Sequence, residues 1–174
     1  MKASDLCNSL GRTPLWVSGI QKRLSLPHLS DYPSSYGAFL GKIRDLENLS
    51  ISRERIERLW ELERSLIRLL HLIPGEDFLQ IIAGCSAEAD PDRRLLLSNA
   101  DLGVPLLARD LQPGLDFTPS SPRELFGGRE MGEDAVRLLG EYRTLLGEIR
   151  ETVSSERLVL KATLRWEKSV GLGG

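Results

Sequence analysis

The stretch GRTPLWVSGIQKRLSLP, Gly11–Pro27, decides how the first part of the chain folds. Thr13 is a strong N-cap residue, and Pro14 falls on the first helical position, where its missing N–H costs nothing and its fixed φ favours the helix. A helix therefore starts here. Val17, Ile20 and Leu24 follow at i, i+3 and i+7 and define its buried face. The opposite side carries Leu15, Ser18, Gly19 and Lys22, with Trp16 and Arg23 on its flanks. Upstream, Ala3, Leu6, Cys7 and Leu10 recur at helical spacing, and Gly11 ends that run by taking a left-handed backbone. Two short helices joined by a glycine-containing turn predict a helix-turn-helix, a motif whose second helix lies in a groove of DNA. The same pattern also describes two packed helices of any α-protein.

Downstream of Leu26-Pro27, the turn-prone run HLSDYPSSY predicts a wing or an extended link. A third helix follows, with Tyr36, Phe39, Leu40, Ile43 and Leu46 on one side and Asn48-Leu49-Ser50 at its end. Ser52 can cap a fourth, with Glu54 near the positive end of the dipole.

In this order, the elements GRTP, LSLP, the tyrosines Tyr32 and Tyr36, and SISRERI resemble the MerR-type helix-turn-helix family over about residues 3–70. The resemblance implies a dimeric transcription regulator that places the second helix in the major groove of double-stranded DNA. Carried over by position, it sets Arg12, Trp16, Ser18 and Gly19 against DNA with Thr13 at the helix start, while Lys22 and Arg23 approach phosphates. Lys42 and Arg44 are expected to add phosphate contacts. The chain departs from the family at mid-helix, where an arginine and a tyrosine are usual and Ser18 and Gly19 stand instead. Serine can bond either base type and glycine neither, so specificity falls to Arg12, the turn or DNA shape. An aliphatic Leu15 beside Trp16 equally suits a protein-contact patch, or a surface covered by later parts of the chain. The alternative function is thus an adaptor that holds a protein partner.

From Ser52 no breaker occurs until Pro74-Gly75, and Leu59, Leu62, Leu66, Leu69 and Ile73 alternate by three and four, with a second apolar stripe of Ile56, Trp60, Ile67 and Leu70 beside them and a solvated side expected of Arg53, Glu63 and the other charged residues. After Gly127-Gly128 the pattern returns in Ala135, Leu139, Tyr142, Leu146, Ile149 and Val153. Two such seams predict an antiparallel pairing, within one molecule or across a homodimer. Between them, RRLLLS is expected to be a strand paired with Val104–Leu107, DFLQIIAGC a helix extension or buried strand, and QPG and TPSSP loops. The tail Leu158–Trp166 is expected to be helical. The chain therefore reads as mainly α. A MerR-like module over 1–74 leads into long amphipathic helices with a small β element in the middle, and 75–174 serve dimerisation or partner docking.

Composition bounds what else is possible. At 174 residues, with 41% hydrophobic and 28% charged residues, the chain is long enough and apolar enough to bury a core in water. Residues 1–72 hold eleven Lys and Arg against eight Asp and Glu, and the remainder twelve against seventeen, so only the first part is mildly basic. No leader pattern and no apolar run of membrane-spanning length occur, which sets the expectation of a cytoplasmic protein without membrane contact. Cys7 and Cys85 are too few for a disulfide framework. A metal set of Cys85 with His71, Glu88, Asp90 and Asp92 lacks the paired cysteines that such sensing usually needs, so no metal is expected. His71 instead suits the negative pole of its helix. No phosphate loop, nucleophile–base pair or isolated carboxylate pair stands out, so neither an enzyme nor a cofactor is expected.

Overall fold

The structure is a computed structural model that describes residues 1–70, 81, 95–100 and 133–169, with side chains of the last segment described over 134–156. These residues are mainly helical: α1 Ala3–Leu10, α2 Pro14–Arg23, α3 Ser34–Asn48, α4 Arg53–Leu69 and α5 Glu133–Ser169. None of these helices is long and apolar enough to cross a membrane.

The caps form as their residue types dictate. Gly11 takes φ 60° and closes α1 through N–H bonds from Gly11 to Asn8 O and from Arg12 to Cys7 O, both 3.1 Å. Thr13 Oγ1 accepts from the Trp16 N–H at 3.3 Å, and Ser52 Oγ from the Arg55 N–H at 3.4 Å. At the start of α4, hydrogen bonding to its own backbone N–H, helped by Ser52, holds the Glu54 carboxyl below its ordinary range. Leu6, Cys7 and Leu10 of α1 meet Val17 and Ile20 of α2 in one core, whereas Ala3 stays exposed in the first turn.

Gln21 is a buried polar residue on the same side of α2 as Val17 and Ile20. Its amide nitrogen donates to the hydroxyls of Tyr32 (3.1 Å) and Tyr36 (3.0 Å), and Tyr36 donates onward to Pro27 O at 3.0 Å. Burial pushes the Tyr36 hydroxyl up to about 12. This cluster fastens the link over 24–33, where the wing-or-link alternative resolves to an extended link without a strand. All five expected apolar residues of α3 are buried, and Phe39 packs edge-on against Trp60 of α4 with centroids 5.0 Å apart.

The helix α5 runs antiparallel to α4 within one chain, as the ion pairs Arg55–Glu148 (3.6 Å) and Arg58–Glu141 require. Leu59, Leu62, Leu66, Leu139, Tyr142 and Ile149 are buried in this seam, and Leu146 packs on it half-buried. Leu69 departs from the expectation at 42% exposed. The buried arc of α4 takes in Ile56, Trp60, Glu63 and Ile67 as well, so it is wider than a two-position seam and its centre shifts away from Leu69. The second seam and the tail are one continuous helix through Ser154-Ser155.

No strand occurs among the described residues. Leu95–Ser98, expected in a strand, are instead part of a turn closed by the Leu95 N–H to Ala100 O bond at 2.9 Å, with Asn99 at φ 57°. The reason is a buried carboxylate, on a residue that the sequence pattern sets on the solvated side. Glu63 of α4 accepts from the N–H groups of Leu97 (3.0 Å) and Ser98 (2.8 Å) and from the Tyr142 hydroxyl (3.2 Å). Tyr142 in turn accepts from the Leu96 N–H at 2.9 Å, and the Lys42 ammonium donates to Leu96 O at 3.1 Å. With the N–H groups of Leu96, Leu97 and Ser98 aimed at side chains and that of Leu95 at Ala100 O, the segment has no N–H left for a ladder partner. Val104–Leu107, the QPG and TPSSP loops, and all of DFLQIIAGC except the helical, buried Ile81 lie outside the described residues.

Burial raises the Glu63 carboxyl above its ordinary range, outweighing the N–H donors that pull it down. Its folded value therefore exceeds its unfolded one, so the stabilisation it brings is complete in acid and lost as pH rises through the folded value. In urea titrations run downward from well above the ordinary carboxyl range, wild type should gain stability relative to Glu63→Gln as pH falls. Glu63→Ala strands the N–H donors of Leu97 and Ser98 and should cost about 3 kcal/mol or more. A flat wild-type-minus-Gln difference would show that the carboxyl is not titrating where it is buried.

Candidate nucleic-acid interface

The outward side of α2 stays open. Leu15 is 81% exposed, Ser18 and Lys22 are exposed, and a side-chain carbon built on Gly19 would meet no atom within 4 Å. An open groove of about 750 Å³ runs between this side and the start of α4, lined by Thr13, Leu15, Trp16, Gly19, Lys22 and Arg53 among others. No residue lining it comes from beyond Arg53, so the later described segments do not cover it.

Within the groove the polar groups are partly committed to one another. Arg12 lies over the Trp16 ring at 5.5 Å and donates to Asn48 Oδ1 at 2.6 Å, a neutral partner that leaves the guanidinium charge uncompensated. The Trp16 indole N–H donates to Glu47 Oε2 at 2.7 Å, so Trp16 is half-buried and Leu15 alone forms the exposed apolar point. Arg23 pairs with Glu47 (3.7 Å) and Glu57 (3.5 Å), and Arg53 with Glu47 (3.4 Å). Ser18 Oγ donates back to Leu15 O at 3.1 Å. Lys22 has no ion pair among the described residues.

Of the residues expected at DNA, Arg12, Thr13, Trp16, Ser18, Gly19, Lys22 and Arg23 thus share α2 and its entry, and two do not join them. Lys42 reaches the carbonyl of Leu96 on the turn at 95–100. Arg44 donates to Leu10 O at 3.1 Å, satisfying the end of α1, and pairs with its neighbour Asp45 at 2.7 Å. Both are positioned by α3, where each donates to a backbone oxygen of another segment. Sequence reasoning also missed two members. Arg53 reads from the sequence as part of the solvated side of α4, and its place one residue after the Ser52 cap puts it beside the groove. Glu47, an acid at the end of α3, carried no signal until α3 was folded beneath Trp16.

No group of three or more His, Cys, Asp or Glu that could hold a metal occurs among the described residues, and Cys85, His71, Glu88, Asp90 and Asp92 lie outside them. Comparison of the chain with protein-family models, curated proteins and solved structures finds no match.

The position of Lys42 predicts a stability effect. Lys42→Ala should lower the urea midpoint at unchanged m, corresponding to about 1–3 kcal/mol for a charged hydrogen bond lost from a partly buried carbonyl. An unchanged midpoint would place the ammonium in solvent.

Proposed function

We propose that this chain is a DNA-binding protein, a transcription regulator of MerR-like build, that inserts α2 into the major groove of duplex DNA. The observation that carries the reading is the bare outward side of a helix that begins at a capped turn, with Lys22 unpaired among the described residues and Arg12 bonded to neutral partners. At such a helix, Gly19 lets the backbone come close to a groove wall, Leu15 suits a thymine methyl, and Ser18 can turn from Leu15 O to a base edge. Lys22 supplies a phosphate contact, which positions without specifying, and Arg12 faces the DNA from the turn. Residues 75–174 serve dimerisation or docking in this reading. The cytoplasm is the matching compartment.

The test is a mobility-shift titration with random duplex across a salt series. Binding should weaken steeply with salt, and Lys22→Ala should shallow the log–log slope by about 0.9 for one phosphate, with a roughly five- to tenfold loss at 0.1 M salt. An unchanged slope would remove Lys22 from the footprint.

A second reading draws on the 81% exposure of Leu15: an adaptor that docks a protein on this apolar point. Under it the random duplex gives no shift even at low salt, and Leu15→Ser abolishes partner capture. Under the DNA reading Leu15→Ser costs no more than about 1 kcal/mol, one methyl-scale contact.

A further inference from the structure

Glu47 stands where the arginines of the groove converge, and its two oxygens are used unequally. Oε2 takes the Trp16 indole N–H at 2.7 Å, a short charge-assisted bond that fixes the ring. Oε1 is buried without a hydrogen-bond partner, and only the looser ion pairs to Arg53 Nε at 3.4 Å and Arg23 Nη2 at 3.7 Å reach it. The Glu47 side chain is 14% exposed, while that of Arg53 is 64% exposed on the rim of the groove. Arg23 has a second carboxylate in Glu57, so the cation that depends on Glu47 is Arg53.

We infer that Glu47 is an internal competitor for DNA phosphate: its carboxylate draws the Arg53 guanidinium onto the protein and withholds one cation from the α2 face. This rests on the DNA reading above and adds a determinant of how tightly any sequence is held. A phosphate in the groove meets a guanidinium already paired at about 3.4 Å, and Arg53 joins the backbone contacts only if it leaves Glu47. Non-specific affinity, which phosphate contacts dominate, is thereby held down, and the share of binding set by base contacts rises.

Glu47→Gln separates charge from packing, because the amide oxygen can still accept the indole N–H while the pull on Arg53 is gone. Random-duplex titrations over a salt series should show this variant binding roughly three- to tenfold more tightly than wild type, with a slope steeper by about 0.9. Glu151→Gln makes the same charge change at an exposed position of α5 and should give a smaller gain. Adding Arg53→Ala to Glu47→Gln should erase the gain, whereas Arg53→Ala in wild type should leave the slope as it was.

A gain no larger than that of Glu151→Gln, or one that survives loss of Arg53, overturns the inference while leaving the DNA reading intact. So does a wild-type slope that falls by a full phosphate in Arg53→Ala, a measurement that stands even where Glu47→Gln does not fold. No binding by either chain at low salt overturns both the reading and the inference.

Discussion

The carboxylate of Glu63 sits where α4, α5 and the turn at 95–100 meet, and it accepts from donors of both later segments. A fully buried carboxylate is costly to desolvate, so its presence is informative only because backbone N–H groups and a tyrosine hydroxyl are aimed at it. Those same donors then cannot be used elsewhere. The turn is held in place, Tyr142 is oriented, its hydroxyl raised by burial and by the adjoining carboxyl, and Lys42 is drawn in to the Leu96 carbonyl. Around this point the buried residues of the described segments form a single continuous cluster, running from Leu6 to Ile149.

That arrangement determines what is left for function. α5 occupies the side of α4 that carries Leu59, Leu62 and Leu66, and α3 lies against α1 and α4, which leaves the outward side of α2 clear of both. The link over 24–33 is kept from wandering across α2 by Gln21 and the two tyrosines. Charge on the open side is modest: two of the arginines nearest to it are offset by Glu47 and Glu57, and among the described residues no carboxylate pairs with Lys22 or Arg12. A surface of this kind suits weak general attraction to a polyanion with selectivity drawn from shape and a few contacts.

Much of the helical frame was legible because its signals are local. Gly11, Thr13-Pro14 and Ser52 mark helix ends through backbone chemistry that needs no partner, and the spacing in α3 and α5 reports a buried side wherever it is folded. What was not legible depends on distant residues. LLLS has the composition of a strand, yet the N–H groups of Leu97 and Ser98 go to Glu63, more than thirty positions earlier, and that of Leu96 goes to Tyr142, and nothing near Leu95 announces either. Lys42 and Arg44 read as a basic pair, but their targets are carbonyls on other elements. Trp16 read as exposed because its cover, Glu47, arrives from α3. Periodicity also misplaced Leu69, since a helix buried on both flanks has a broader and differently centred inner arc than a seam of two positions.

The central claim is that the core held at Glu63 stays intact while the outward side of α2 meets duplex DNA. Amide and indole chemical shifts of ¹⁵N-labelled protein, followed as random duplex is added at low salt, test it in one experiment. The account predicts progressive shifts at Ser18, Gly19, Lys22 and the Trp16 indole N–H, with the Leu97 and Ser98 amides unmoved. Shifts centred on the α4–α5 seam, movement of the Leu97 and Ser98 amides, or no shifts at saturating duplex would contradict it.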